Sequence, residues 1–150
     1  CICLSATGIY DYVIILRDND SAHRMTVNME SSLTDWLSAN LKKNDLLLTP
    51  EYTMNEVTMS GAMLYCGWPY YAWSAGYDTG YRAGQAVLMY TTDDPELLKA
   101  AVKQEKITYI LFEEDMEFEQ QECREETIAA AYEKVYETQD GRIRIYKTTE

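Results

Sequence analysis

Two short apolar runs constrain the fold more than any other feature. DLLLTP (45–50) and ITYILF (107–112) each read as a buried strand, and Pro50 stops the first. Each directly follows a helical pattern. In SSLTDWLSANLKKN (31–44), Leu33, Trp36, Leu37 and Leu41 form one stripe, and Ser31 or Ser32 can cap it. Lys42 and Lys43 suit the C-terminal end of that helix dipole. In DDPELLKAAVKQEK (93–106), Asp94 caps and Pro95 takes the first helical position. Leu97, Leu98, Ala101 and Val102 are expected to face inward. Helix running straight into buried strand is the signature of an α/β layer.

The remaining segments fill in this scheme. TGIYDYVIIL (7–16) has helical spacing, and RMTVNM (24–29) alternates like a strand. EVTMSGAMLYCG (56–67) reads as a strand interrupted at Gly61, and TGYRAGQAVLMYTT (79–92) as a helix with Asp78 as N-cap. ETIAAAYEKV runs from helix to strand. VYETQDGRIRIYK (135–147) reads as a β-hairpin turning at Asp140-Gly141, with a type I′ turn expected there. The expected fold is therefore α/β: a mixed sheet with helices packed on it and a C-terminal β-hairpin at one edge. Residues 1–150 are expected to form one soluble domain. At this length a chain buries roughly two thirds of its unfolded surface, enough for a core without staples.

Charge and motifs exclude several function classes. The chain has 13 Lys and Arg against 25 Asp and Glu, a net charge of −12. A polyanion without a basic stripe is repelled by nucleic acid, so no nucleic-acid partner is expected. No catalytic residue and no cofactor is expected either. There is no phosphate loop, no GxSxG and no HExxH, and His23 is the only histidine. Asp94 of the Asp93-Asp94 pair is accounted for by capping. Glu113-Glu114-Asp115 follows a buried strand, where acids can hold a divalent metal on a nucleotide-sugar diphosphate, but two acids after a strand are usually a solvated turn and no metal is expected. Cys1, Cys3, Cys66 and Cys123 make no zinc pattern. Cys66 and Cys123 are either a bridge or two buried thiols.

The segment GWPYYAWSAGYDTGYR (67–82) stands apart. The chain holds 13 tyrosines against two phenylalanines, and this stretch is densest in rings. Tyr and Trp combine apolar area with a hydrogen-bonding tip, so they suit half-wet surfaces. Rings here can stack on the apolar face of a sugar while their tips bond hydroxyls. Asp78 and Arg82, four apart, are expected as neighbours offering an acceptor and a fork of donors. Gly80 and Gly84 share a helical face and suggest close approach of a backbone or ligand. Trp68, Tyr71, Trp73, Tyr77, Asp78, Tyr81 and Arg82 are the candidate ligand-binding residues. The alternative is a rigid ring-packed loop covering the sheet.

In order along the chain, these motifs resemble the soluble C-terminal region of polytopic membrane proteins of the GT-C glycosyltransferase-like class. The resemblance runs from about residue 31 to 147. It begins with TDWLSANLKKNDLLLT and the small-residue turn MSGAMLYCGWPYYAW. The W-x-x-G-x-D segment from Trp73 through Gly76 and Asp78 to Arg82 follows. VLMYTT, DDPELLKAAV, the strand at Ile107, Tyr109 and Ile110, and the closing VYE and IYK complete it. Relatives often carry His before the glycine and Glu after the arginine, where this chain has Ala75 and Ala83.

The resemblance implies an extracytoplasmic accessory domain at the face of a bacterial cell membrane, contributing to recognition of sugar or lipid-linked substrate. Its partner would be the membrane portion of the same polypeptide, with the catalytic carboxylates elsewhere in the parent. Residues 1–16 would then be the tail of a preceding membrane helix, and the opening CICLSATG a boundary within a longer protein. Two other functions compete: a stand-alone metal-dependent nucleotide-sugar enzyme, and a purely structural protein-interaction module.

Overall fold

A computed structural model describes residues 2–18, 31–53, 56–118 and 121–148. The expected strand at 24–29 lies outside them. The element order is α1 (Ile2–Asp18), α2 (Ser32–Asn40), β1 (Leu46–Leu48), a 3-10 turn (Glu56–Ser60), β2 (Met63–Leu64), α3 (Pro69–Ser74), α4 (Gly80–Thr91), α5 (Pro95–Glu105), β3 (Tyr109–Glu113), β4 (Glu117–Phe118), β5 (Gln121–Glu122), α6 (Glu125–Ala131), β6 (Glu133–Glu137) and β7 (Ile143–Lys147).

Five strands form the main sheet in the order β2-β1-β3-β7-β6. The first three are parallel. The β6–β7 hairpin joins antiparallel to β3 and closes one edge. This is the mixed α/β sheet with a C-terminal hairpin that the sequence implies. Alternation along the strands sends side chains to two cores. Leu47, Tyr109, Leu111, Ile143 and Ile145 pack with Leu33 and Leu37 of α2 and Val57. Leu48, Ile110, Phe112 and Tyr146 pack with Met89 and Tyr90 of α4, Leu98 and Val102 of α5 and Ile128 of α6. Covering both faces is why β3 is buried at four successive residues. Each fully buried Leu or Ile contributes about 1.5–3 kcal/mol.

Tyr90 fastens α4 to the sheet. Its hydroxyl lies 2.5 Å from the Leu111 carbonyl and 3.2 Å from that of Leu48. At the other edge, Glu125 accepts from Arg144 and, at 2.8 Å, from the Tyr146 hydroxyl, tying α6 to β7. The Arg144 guanidinium also lies over Phe112.

Several local expectations are corrected. Helix α2 ends at Asn40, so Lys42 and Lys43 fall in the turn before β1. Residues 56–60 form the 3-10 turn, and only Met63 and Leu64 pair as a strand. Leu97 is exposed because its side of α5 lies beyond the edge of the buried face. The hairpin turn is not type I′, because Gly141 has φ +73° while Asp140 has no positive φ. Gln139 and Asp140 make the turn, the Gly141 N–H donates to the Thr138 carbonyl, and Gly141 supplies the left-handed step. Cys66 and Cys123 are both buried and are not joined by a disulfide.

Candidate functional site

The connections leaving β1 and β2 go to opposite faces of the sheet. After β1 the chain passes through Val57, which belongs to the α2 core. After β2 it enters α3, α4 and α5, and the last two fill the other core. Adjacent parallel strands whose connections part in this way leave a crevice at their carboxyl ends, the usual ligand position in open α/β sheets. A cleft of ≈ 430 Å³ opens at the carboxyl end of β2. It is lined by the end of β2 (Leu64 to Gly67), by Trp68, Pro69 and Ala72, and by Tyr77, Asp78, Thr79 and Arg82.

Local rules shape its walls. Pro69 starts α3 at the position where a missing N–H costs nothing. Gly76, at φ +87°, ends it. The Gly76 N–H donates to the Trp73 carbonyl and the Tyr77 N–H to that of Ala72, a Schellman closure that turns the chain into the cleft. Asp78 does not occupy the N-cap position of α4, which is Thr79. Its carboxylate accepts from the Gly80 N–H at 2.9 Å and so still satisfies the helix start. On the far side, Tyr52 packs edge-on against Trp68 with centroids 5.1 Å apart.

Arg82 is held by the cleft floor rather than by Asp78. Its Nη1 donates to the Tyr65 carbonyl at 3.3 Å, and its guanidinium lies 5.3 Å from the Tyr65 ring centroid. The Tyr65 hydroxyl donates to Glu105 at 2.8 Å, and the Tyr81 hydroxyl to the other oxygen at 2.7 Å. Burial, then the bond to Glu105, raises the Tyr65 hydroxyl above its usual range. Those donors, led by Tyr81, hold the Glu105 carboxyl below its usual range. Burial first, then the Glu51 carboxylate, pushes the Cys66 thiol up to about 11, so it is an inert wall group at neutral pH.

The fold has a solved counterpart. It resembles the crystal structure of the C-terminal globular domain of an oligosaccharyltransferase from Archaeoglobus fulgidus. The TM-score is 0.53 at 13% identity, over 84% of this chain and 99% of that one. At that identity the likeness is one of fold. Neither a family profile nor a curated protein matches the sequence.

The structure brings together Trp68, Tyr77, Asp78 and Arg82 of the expected residues. It sets Trp73 beside the cleft, on a shallow depression shared with Tyr77 and Asp78. Tyr71 projects from α3 at 72% exposure, outside both, and Tyr81 points to α5. Asp78 and Arg82 both line the cleft without pairing with each other, and the close approach of a backbone at Gly84 is corrected. Each charged group has its own backbone partner, and a Cβ on Gly84 would meet nothing within 4 Å. Glu113 faces Arg142 at 4.0 Å, while Glu114 and Asp115 are exposed in a turn. Among the described residues, no three His, Cys, Asp or Glu side chains are grouped to hold a metal ion.

Sequence reasoning missed Tyr65, Cys66 and Glu105. The first two carry a signal, since they follow directly on the strand whose carboxyl end forms the floor. Glu105 lies 40 residues from Tyr65, and nothing local marks it.

Proposed function

We propose that this chain is the globular domain of a membrane-embedded, GT-C-like glycosyltransferase, exposed on the extracytoplasmic side. In this reading it carries no catalytic residues and presents its aromatic cleft to a sugar or a lipid-linked sugar. The observation that carries the proposal is the fold correspondence, which takes in 99% of the oligosaccharyltransferase domain. The cleft supports it: rings for a sugar face, Asp78 as acceptor and Arg82 as donor lie together at the carboxyl end of β2.

Helix α1 supports the link to a membrane. Ile9, Tyr10, Tyr12, Val13, Ile15 and Leu16 make a broad apolar surface and are 55–66% exposed. An exposed apolar helix surface this broad suits lipid or a protein interior, although Asp11 and Arg17 interrupt the helix. No helix among the described residues is long and apolar enough to cross a membrane. We take α1 as the end of a membrane segment of the parent.

The test is a titration of the chain with oligosaccharides and lipid-phosphate sugar analogues, followed by tryptophan fluorescence and NMR. Millimolar affinity, worth about 4 kcal/mol, is expected, because one domain holds part of a site. Trp68→Ala and Arg82→Ala should abolish the response with their melting points followed in parallel, and Trp73→Ala should weaken it. No perturbation of Trp68, Tyr77 or Arg82 by any of these ligands would defeat the substrate-recognition reading. Sugar transfer by the chain alone, lost in Glu113→Ala or Asp115→Ala, would defeat the non-catalytic one.

A further inference from the structure

At the opposite end of the sheet lies a groove of ≈ 870 Å³ with a different character. It runs between the outer face of α5, the α6–β6 junction (Ala131 to Glu133) and the end of β7. Lys99, Lys103 and Lys106 line one wall, and Lys147 comes from β7. Lys99 and Lys103 lie one turn apart on one face of α5, and Lys106 is its left-handed C-cap. Four ammonium groups face one lining carboxylate, Glu133, in a chain whose net charge is −12.

Their pairing leaves most of that charge unused. Lys99 is bonded to Glu96 at 2.8 Å. Among the described residues, Lys103, Lys106 and Lys147 form no ion pair. Lys103 and Lys106 also complement the C-terminal dipole of α5, but Lys147 sits on a strand and has no such role. The two threonine hydroxyls of the groove are already committed: Thr108 donates to the Leu46 carbonyl and Thr148 to that of Ile107. The lysines, with the Tyr132 hydroxyl, are the side-chain donors left for a ligand.

We propose that this groove binds a phosphate-bearing anion, a site independent of the aromatic cleft. Ammonium groups on long arms from two walls suit a multiply charged, tetrahedral oxyanion, whereas a lone planar carboxylate suits an arginine fork. The groove exceeds the size of one phosphate, and Val102, Ile107 and Tyr132 give it an apolar lining. The ligand is thus a phosphate or diphosphate carried on a larger group. Two sources share that chemistry, a soluble phosphate compound and an anionic lipid headgroup.

The test titrates the full chain with pyrophosphate at low salt, read by NMR shifts at the groove residues. Its second arm compares cosedimentation with vesicles of phosphatidylcholine alone and with added phosphatidylglycerol. The neutral vesicles measure the contribution of the apolar α1. Pyrophosphate is expected to shift the amides of Lys103, Lys106 and Lys147, and Lys103→Glu with Lys147→Glu to weaken it about tenfold or more. Additional binding to the anionic vesicles that disappears in the double variant identifies the headgroup as the source. Pyrophosphate binding without that addition identifies a soluble phosphate. Should the charge-reversed pair not fold, Lys103→Gln with Lys147→Gln repeats the comparison. Absence of binding in both arms, or binding that the variants retain, overturns the proposal.

Discussion

The aromatic cleft and the lysine groove stand at opposite ends of one sheet, and they are built in opposite ways. All residues lining the cleft come from one segment, Leu64 to Arg82. The groove collects its residues from α5, the α6–β6 junction and β7, across almost 50 positions from Lys99 to Thr148. The cleft offers rings with one acid and one base. The groove offers four cations with one acid. A site confined to one segment shows itself as a local excess of unusual residues. A site assembled from distant elements becomes visible only when strand register has brought them together.

The contrast holds only if the two ends rest on a shared core, and Tyr90 tests this most severely. It is fully buried on α4, which packs against α5. Tyr90→Ala removes the ring and leaves the Leu111 and Leu48 carbonyls short of a donor. We expect a loss of about 3–5 kcal/mol in denaturant unfolding, with the amide spectra of both ends changing together. A loss confined to one end would mean that cleft and groove belong to separately stable parts.

Gly76→Val should separate the ends instead. At φ +87° a β-branched residue is strained by about 1–2 kcal/mol, and the Schellman closure that aims Tyr77 and Asp78 is disturbed. Sugar-induced shifts at Trp68 and Tyr77 should vanish while pyrophosphate shifts at Lys103 and Lys147 persist. Loss of both responses would show that the cleft segment also shapes the groove.

Gly141→Val touches neither site directly. Its φ of +73° predicts a cost of about 1 kcal/mol, measured as a lower melting point with both ligand responses kept. An unchanged melting point would mean that the turn rearranges without strain.

The smallest effect concerns acid pH. Glu105 has its folded-state pKa lowered, so its contribution is present above the ordinary value of 4.5 and lost as pH falls through the lower folded value. The stability difference between wild type and Glu105→Gln should therefore exist at pH 7 and shrink toward pH 3. A difference that stays constant would show that Tyr65 and Tyr81 do not depend on a carboxylate.

Much of the fold follows from sequence alone, because the decisive signals are local. Leu33 and Leu37 on one helical stripe, Asp94 before Pro95, and the apolar runs at Leu46–Leu48 and Tyr109–Glu113 each specify an element through backbone geometry and burial. The ring excess at 67–82 marked the cleft in the same way. Helix α3 was not legible, since its six residues bury nothing and its rings obscure a stop signal that rests on Gly76.

Only tertiary structure decided which rings share a cleft. Trp68 and Tyr77 line the same cleft because α3 and its closure at Gly76 lie between them, while Tyr71 lies outside it and Tyr81 bonds to Glu105 of α5. Tertiary structure also placed Arg82 on the Tyr65 carbonyl, while Asp78 accepts from the Gly80 N–H. The lysine spacing on α5 was present in the sequence, but a helical stripe is not a groove until β7 supplies Lys147 and the opposite wall. Helix caps and strand runs depend on neighbours a few residues away, whereas concavity depends on how a sheet pairs residues far apart in the chain.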